Sequence, residues 1–146
     1  MKGKILFCST SQVFDENLEE FPIKLQITRY IKKGLLTGFI HTTGLSPSEE
    51  LLNTTNYKWK KMIFTDFEKE KMKNGKTHTW WDLYIDLFSL EMSMRYDFML
   101  NYQRLKEHLD NGTNIIACCY CEDYEKCHRS LIAKALKDED YEVILK

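Results

Sequence analysis

A chain of 146 residues, 43% hydrophobic and 29% charged, is long enough to bury one core and too short for two domains of ordinary size, so a single unit over residues 1–146 is expected. A formal net charge of −1 excludes a global attraction to nucleic acid or acidic membrane, and three Trp, eight Tyr and eight Phe exclude a disordered chain. Five cysteines, four of them between Cys118 and Cys127, exclude a secreted disulfide framework and mark thiols kept reduced for chemistry, for metal or for packing.

The apolar run near Met1 is far shorter than the about 20 residues of a spanning helix, so no membrane partner and a cytoplasmic location are expected. Lys4 to Cys8 reads as a buried first strand, followed by the polar turn Ser9-Thr10-Ser11-Gln12. A hydroxyl-rich turn after a first strand suits an oxygen-rich ligand in α/β folds, and it is also ordinary turn chemistry. Ile23 to Ile31 alternates Ile23, Leu25, Ile27 and Arg29 against Lys24, Gln26 and Thr28, which predicts a strand. Arg29 on its apolar face either lies at the strand's end, reaching the carboxyl edge of a sheet, or marks a break in the period. Gly38 to His41 reads as a short extended piece.

Ser46-Pro47-Ser48-Glu49 predicts a short helix through Leu51-Leu52, with Ser46 as cap and Glu49 completing a capping box. Lys58 to Lys76 carries seven Lys with Trp59, Phe64 and Phe67 interleaved, a pattern that can grip a nucleic-acid backbone and stack on bases. Asp66, Glu68 and Glu70 dilute it toward an ordinary solvated face. From Trp80 the period turns helical, and Phe98, Tyr102, Leu105 and Leu109 form one stripe on a long helix ending at Asn111-Gly112. Met92, Met94 and Met99 read as core filler. A strand at Asn114 to Tyr120, a helix from about Arg129 to Leu136 and a strand at Tyr141 to Leu145 complete the chain. Strands alternating with helices predict an α/β sandwich with a mainly parallel sheet, whose ligands sit at the carboxyl ends of the strands.

The chemistry concentrates between Cys118 and Ser130. In one reading, the loop and the following helix N-terminus form an anion pocket in which Cys121, Arg129 and Ser130 join Ser9, Thr10 and Arg29 around a phosphate-bearing ligand. In another, Cys127 is a nucleophile whose thiol is acidified by the helix start, although its two-residue spacing from Arg129 does not fit a phosphatase loop. In a third, Cys119, Cys121, Cys127 and His128 hold zinc. In the fourth, the cysteines are small apolar residues packed in a strand and loop. Glu122 and His128 are the acid–base candidates, His128 being kept neutral by the helix dipole.

Cys119-Tyr120-Cys121-Glu122, then Cys127-His128-Arg129 and the helix Ser130-Leu131-Ile132-Ala133, resembles the signature of the DUF488 family, small bacterial and phage proteins without an assigned reaction. Ile27-Thr28-Arg29 resembles its strand ending in Arg, Leu45 to Leu51 its Leu-x-Pro-Ser-x-x-Leu helix start, and Trp81 to Tyr84 its aromatic helix. The chain departs in carrying Thr28 where many relatives have an acidic residue. The resemblance implies a Rossmann-like three-layer α/β domain. With the pocket residues, it leads to the expectation of a protein that binds a nucleotide, free or within nucleic acid, and processes it by hydrolysis or group transfer without a cofactor. The alternatives are a non-catalytic nucleotide- or protein-sequestering binder and a zinc-stabilised module.

Overall fold

Residues 4–9 form the first strand because an uninterrupted run of buried residues suits a parallel strand covered on both faces. In the computed structural model, which describes residues 1–75 and 79–146, Ile5, Leu6, Phe7 and Cys8 are all within 1% of full burial. Lys76 and His78 lie outside the described residues. The strands are β1 (Lys4–Ser9), β2 (Ile23–Gln26), β3 (Ile40–His41), β4 (Ile115–Cys119) and β5 (Glu142–Leu145). They form one all-parallel sheet in the order β3-β2-β4-β1-β5, with Cys8 opposite Cys118 and Ser9 opposite Cys119.

The helices are α1 (Glu49–Tyr57), α2 (Asp66–Lys73), α3 (Trp80–Met94), α4 (Tyr96–Asp110) and α5 (His128–Asp138). The chain clusters into two compact units, Met1–Ser46 with Tyr96–Lys146, and Pro47–Arg95.

The first unit is layered as right-handed crossovers demand. The connections through α4 into β4 and through α5 into β5 run one way across the sheet, and those from β1 to β2 and β2 to β3 run the other, so they cover opposite faces. Leu6, Cys8, Ile116 and Cys118 accordingly pack with Val13, Phe21 and Phe39 from the connections between β1, β2 and β3. The alternate residues Ile5, Phe7, Ile115 and Ala117 belong to the other face, where α5 packs on β1 and β5 through buried Ile132 and Leu136. The result is a Rossmann-like three-layer α/β sandwich. In the second unit, Trp81 stacks on Tyr84 at 5.0 Å and Tyr84 on Phe88 at 5.8 Å, while the Trp59 indole donates to Glu68 at 2.9 Å.

Four expectations are corrected. The strand from Ile23 ends at Gln26, because His128 takes the Ile27 carbonyl and His41 takes that of Thr28, drawing the backbone out of the ladder. Arg29 therefore lies beyond the strand's carboxyl end. Ser48 rather than Ser46 caps α1, accepting from the Leu51 amide, while Ser46 donates to the Thr43 carbonyl; the helix runs on to Tyr57. The long helix from Trp80 is two helices divided at Arg95, whose backbone is extended (φ −78°, ψ 122°). The buried residues explain the division: Phe88 and Phe98 are ten positions apart, out of phase with one 3.6-residue stripe. Gly112 ends α4 as expected, at φ 84°. Met94 and Met99 are exposed rather than core filler.

Burial pushes the Cys118 thiol up from 9.0 to about 12 and that of Cys8 to about 11. The neutral thiols support the fold fully below pH 9.0, and that support is lost as pH rises through these raised values. Denaturant titration should show stability falling by roughly 2–3 kcal/mol per thiol between about pH 9 and 11, with Cys118→Ala flattening the fall.

Candidate active site at the carboxyl edge of the sheet

β1 and β4 are neighbours whose following segments depart to opposite faces of the sheet, which opens a crevice at their carboxyl ends. Two stretches meet there. After β1, the Ser9 amide donates to Gln12 Oε1 at 2.9 Å and the Ser9 hydroxyl bonds that of Ser11, tightening the turn into the 3-10 helix Thr10–Asp15. After β4, Asp123 caps a second 3-10 turn, Tyr124–Lys126, and α5 starts immediately behind it.

Cys127 occupies the cap position of α5 without capping it, so its sulfur faces inward. There it lies 3.1 Å from the Cys119 sulfur and 3.6 Å from His128 Nδ1. The other nitrogen of that ring, Nε2, is 2.8 Å from the Ile27 carbonyl. Because a carbonyl only accepts, Nε2 carries the proton, which leaves Nδ1 as the atom that exchanges a proton with Cys127. This is the geometry of an activated nucleophile: a thiol, a base within reach and a third group that orients the base.

Arg129 is fully buried, and its donors are directed at the protein. Nη1 donates to the Cys121 carbonyl at 2.6 Å and to the Cys119 sulfur at 3.1 Å, Nη2 to the backbone oxygens of Lys146 at 3.0 Å and Glu122 at 3.5 Å, and Nε to Lys146 at 3.1 Å. The guanidinium thus ties the cysteine loop to the end of β5 and sets a positive charge against the thiols. Burial alone would push the Cys127 thiol up. Hydrogen bonds from the Cys119 and Cys121 thiols, the Arg129 amide and the Arg129 charge overcome it and hold Cys127 well below the ordinary thiol range. Cys119 moves the opposite way, held well above that range by its hydrogen bonds to Cys121 and Cys127 and by burial. The two thiols thus shift in opposite directions, Cys127 down and Cys119 up.

The sulfurs of Cys119, Cys121 and Cys127 lie within 4.8 Å of one another, close enough to share a soft metal ion. The converging set is three sulfurs, not the four-ligand set with His128. The 3.1 Å separation of Cys119 and Cys127 is also shorter than the roughly 3.8 Å that two thiolates keep on one tetrahedral zinc.

Beside this cluster a cavity of about 300 Å³ is lined by Thr10, Ser11, Phe14, Lys33, Tyr120 and Glu122, among others. Its wall hangs on Gln26, which sequence alternation assigned to a polar face but which is fully buried. The Gln26 amide donates to Tyr120 Oη and the Gly34 carbonyl, both at 3.2 Å, and its oxygen accepts from the Leu36 amide at 3.1 Å. Thr10 and Glu122 thus line the cavity, whereas Ser9 is buried and is not among its lining residues. Ser130 instead bonds the Cys127 carbonyl at 2.8 Å, and the Arg29 guanidinium reaches the Thr43 carbonyl at 3.4 Å. The Thr28 hydroxyl is buried without a hydrogen-bond partner among the described residues. Sequence reasoning missed Gln26, Lys33 and Tyr120, because alternation with Lys24 made Gln26 look like part of a solvated face.

Replacing Arg129 by Ala strips donors from three backbone oxygens and the Cys119 sulfur. The expected loss exceeds about 3 kcal/mol in urea unfolding. Arg129→Lys, which keeps the charge but not the fork, should stay folded and move the pH midpoint of Cys127 alkylation upward.

The family model DUF488-N3a, described as "Active DUF488-N3 subclade", matches residues 23–140, from the start of β2 to just beyond α5. No curated protein and no solved structure matches the chain. The match takes in β2, β4, the cysteine loop and the Cys127-His128-Arg129 turn of α5, and on that span the chain belongs to the DUF488 family.

Proposed function

We propose that this protein binds a nucleotide or another phosphate-bearing ligand in the crevice at the ends of β1 and β4, and transforms it by hydrolysis or group transfer with Cys127 as nucleophile. The observation that carries the reading is the Cys127 sulfur at the start of α5, beside Arg129 and 3.6 Å from His128 Nδ1. The cavity supports the ligand class: the Thr10 and Ser11 hydroxyls and the Lys33 ammonium suit phosphate oxygens, and the rings of Phe14, which is 79% exposed, and Tyr120 suit a base. In this reading the Cys127 sulfur bonds to the electrophilic centre and the bond to the leaving oxygen breaks. His128 or Glu122 supplies the proton that oxygen takes up. Water or an acceptor hydroxyl, deprotonated by the same group, then displaces Cys127.

One observation favours a second reading. Cys127 is only 2% exposed and Arg129 is fully enclosed, which suits a sealed scaffold behind a non-catalytic, nucleotide-sequestering pocket of the kind a phage protein would use. Within the unit Pro47–Arg95 itself, Lys61 lies 5.7 Å from the centre of the exposed Tyr57 ring and Lys71 5.4 Å from that of the exposed Phe67, cation and ring pairs that suit nucleic acid.

Native mass spectrometry after mixing with a nucleotide pool should show a captured nucleotide, and that nucleotide should then be consumed by substoichiometric protein. Cys127→Ala should abolish consumption, and His128→Gln should slow it by about 10²-fold or more. Consumption that stops at one ligand per chain would establish the sequestering reading instead. With polymeric nucleic acid, binding should weaken steeply with salt, and less steeply once Lys58, Lys60 and Lys61 are replaced.

A further inference from the structure

The cysteines of this chain divide into two kinds. Cys8 and Cys118 face each other across β1 and β4 inside the apolar layer. Cys119, Cys121 and Cys127 converge outside it, around Arg129. A nucleophile needs one thiol. Two more sulfurs within 4.8 Å of it require a different account, and the 3.1 Å approach of Cys119 to Cys127 supplies one.

Forming a disulfide there closes the gap by about 1 Å, to the roughly 2.05 Å bond length. The distance is that of a sulfur–sulfur hydrogen bond in which either atom can donate. Cys119 and Cys127 are 1% and 2% exposed, whereas Cys121 is partly open to solvent. The third cysteine is therefore the one that reaches both the buried pair and an external thiol.

We propose that Cys127 and Cys119 form a reversible dithiol–disulfide couple, oxidised by a small hydroperoxide and reduced through Cys121 by an external dithiol. The proposal deepens the function given above and rests on its reading of Cys127 as the reacting thiolate. The Cys127 thiolate attacks the terminal peroxide oxygen, the O–O bond breaks, and the departing alkoxide or hydroxide takes a proton, leaving Cys127 as a sulfenic acid. The Cys119 thiol then attacks that sulfur, water leaves, and the disulfide forms. Two thiols and one hydroperoxide thus become one disulfide, one alcohol or water, and one further water. In the return direction the Cys121 thiolate attacks the buried disulfide and carries the sulfur–sulfur bond to the exposed edge, where an external dithiol reduces it. While the disulfide stands, Cys127 has no thiolate, so the same couple switches the nucleophile off.

The test is intact-mass analysis and peptide mapping of the full chain treated with hydrogen peroxide and then with dithiothreitol. The oxidised chain should be lighter by two hydrogens, with Cys119 joined to Cys127, and dithiothreitol should restore the starting mass. In Cys119→Ser, Cys127 should instead gain oxygen atoms that dithiothreitol does not fully remove. In Cys121→Ser, the disulfide should still form, with reduction slowed by about tenfold. A wild-type chain that keeps its mass, gains oxygens without losing hydrogens, pairs Cys8 with Cys118, or carries one zinc that blocks oxidation would overturn the proposal. A Cys119–Cys127 disulfide together with undiminished turnover in Cys127→Ala would leave this couple standing and remove the nucleophile reading alone.

Discussion

A buried guanidinium is the constraint on which the rest of this site depends. Arg129 has no exposed surface, so its charge is tolerable only while its donors are met; the backbone oxygens of Cys121, Glu122 and Lys146 and the Cys119 sulfur meet them. That requirement fixes the path of the cysteine loop. It also anchors the loop to the strand farthest from β3, because the Lys146 residue that receives two of the hydrogen bonds continues β5 and donates its amide to the Phe7 carbonyl. Together with the hydrogen bonds from Cys119 and Cys121 and the Arg129 amide, the charge helps lower the Cys127 thiol beneath its usual range against the opposing pull of burial.

The second organiser is the backbone at the end of β2. Ile27 still donates its amide to the Cys118 carbonyl, but its own carbonyl belongs to His128. One peptide thereby ends a strand and selects the tautomer of the histidine beside Cys127. Thr28 repeats the arrangement with His41 at 2.7 Å. Sheet and site are not separable here, since the groups that terminate the ladder are those that orient the imidazoles.

The sulfur cluster and the cavity occupy adjoining ground. The Cys119 and Cys127 sulfurs are buried, and the cavity is framed by Tyr120 and Glu122 and held in shape by Gln26. A polar side chain buried in a parallel sheet must be satisfied, and Gln26 achieves this by binding the very segments that shape the cavity wall. The cavity presents the Thr10 and Ser11 hydroxyls, the Lys33 ammonium and the rings of Phe14 and Tyr120.

Much of this was legible in the residues alone. Continuous apolar runs marked β1 and β4 as strands covered on both faces, the glycine after Asn111 marked the end of α4, and the crowding of Cys119, Cys121, Cys127, His128 and Arg129 marked the site. Those signals are local: covalent spacing and side-chain periodicity suffice for them. The end of β2 at Gln26 was not legible, because it depends on His128, a partner distant in sequence, and the division at Arg95 shows only once the buried faces of the two helices are known. The same holds for the role of Arg129. Its residue type at a helix start suggests an anion clamp, yet only the fold brings the Lys146 oxygen within 3.0 Å and turns the guanidinium inward. Sequence determined which reactive groups this protein has and that they meet at one loop. Tertiary structure decided which of them face each other, because pairing, burial and the direction of a buried donor are set by contacts across the sheet rather than along the chain.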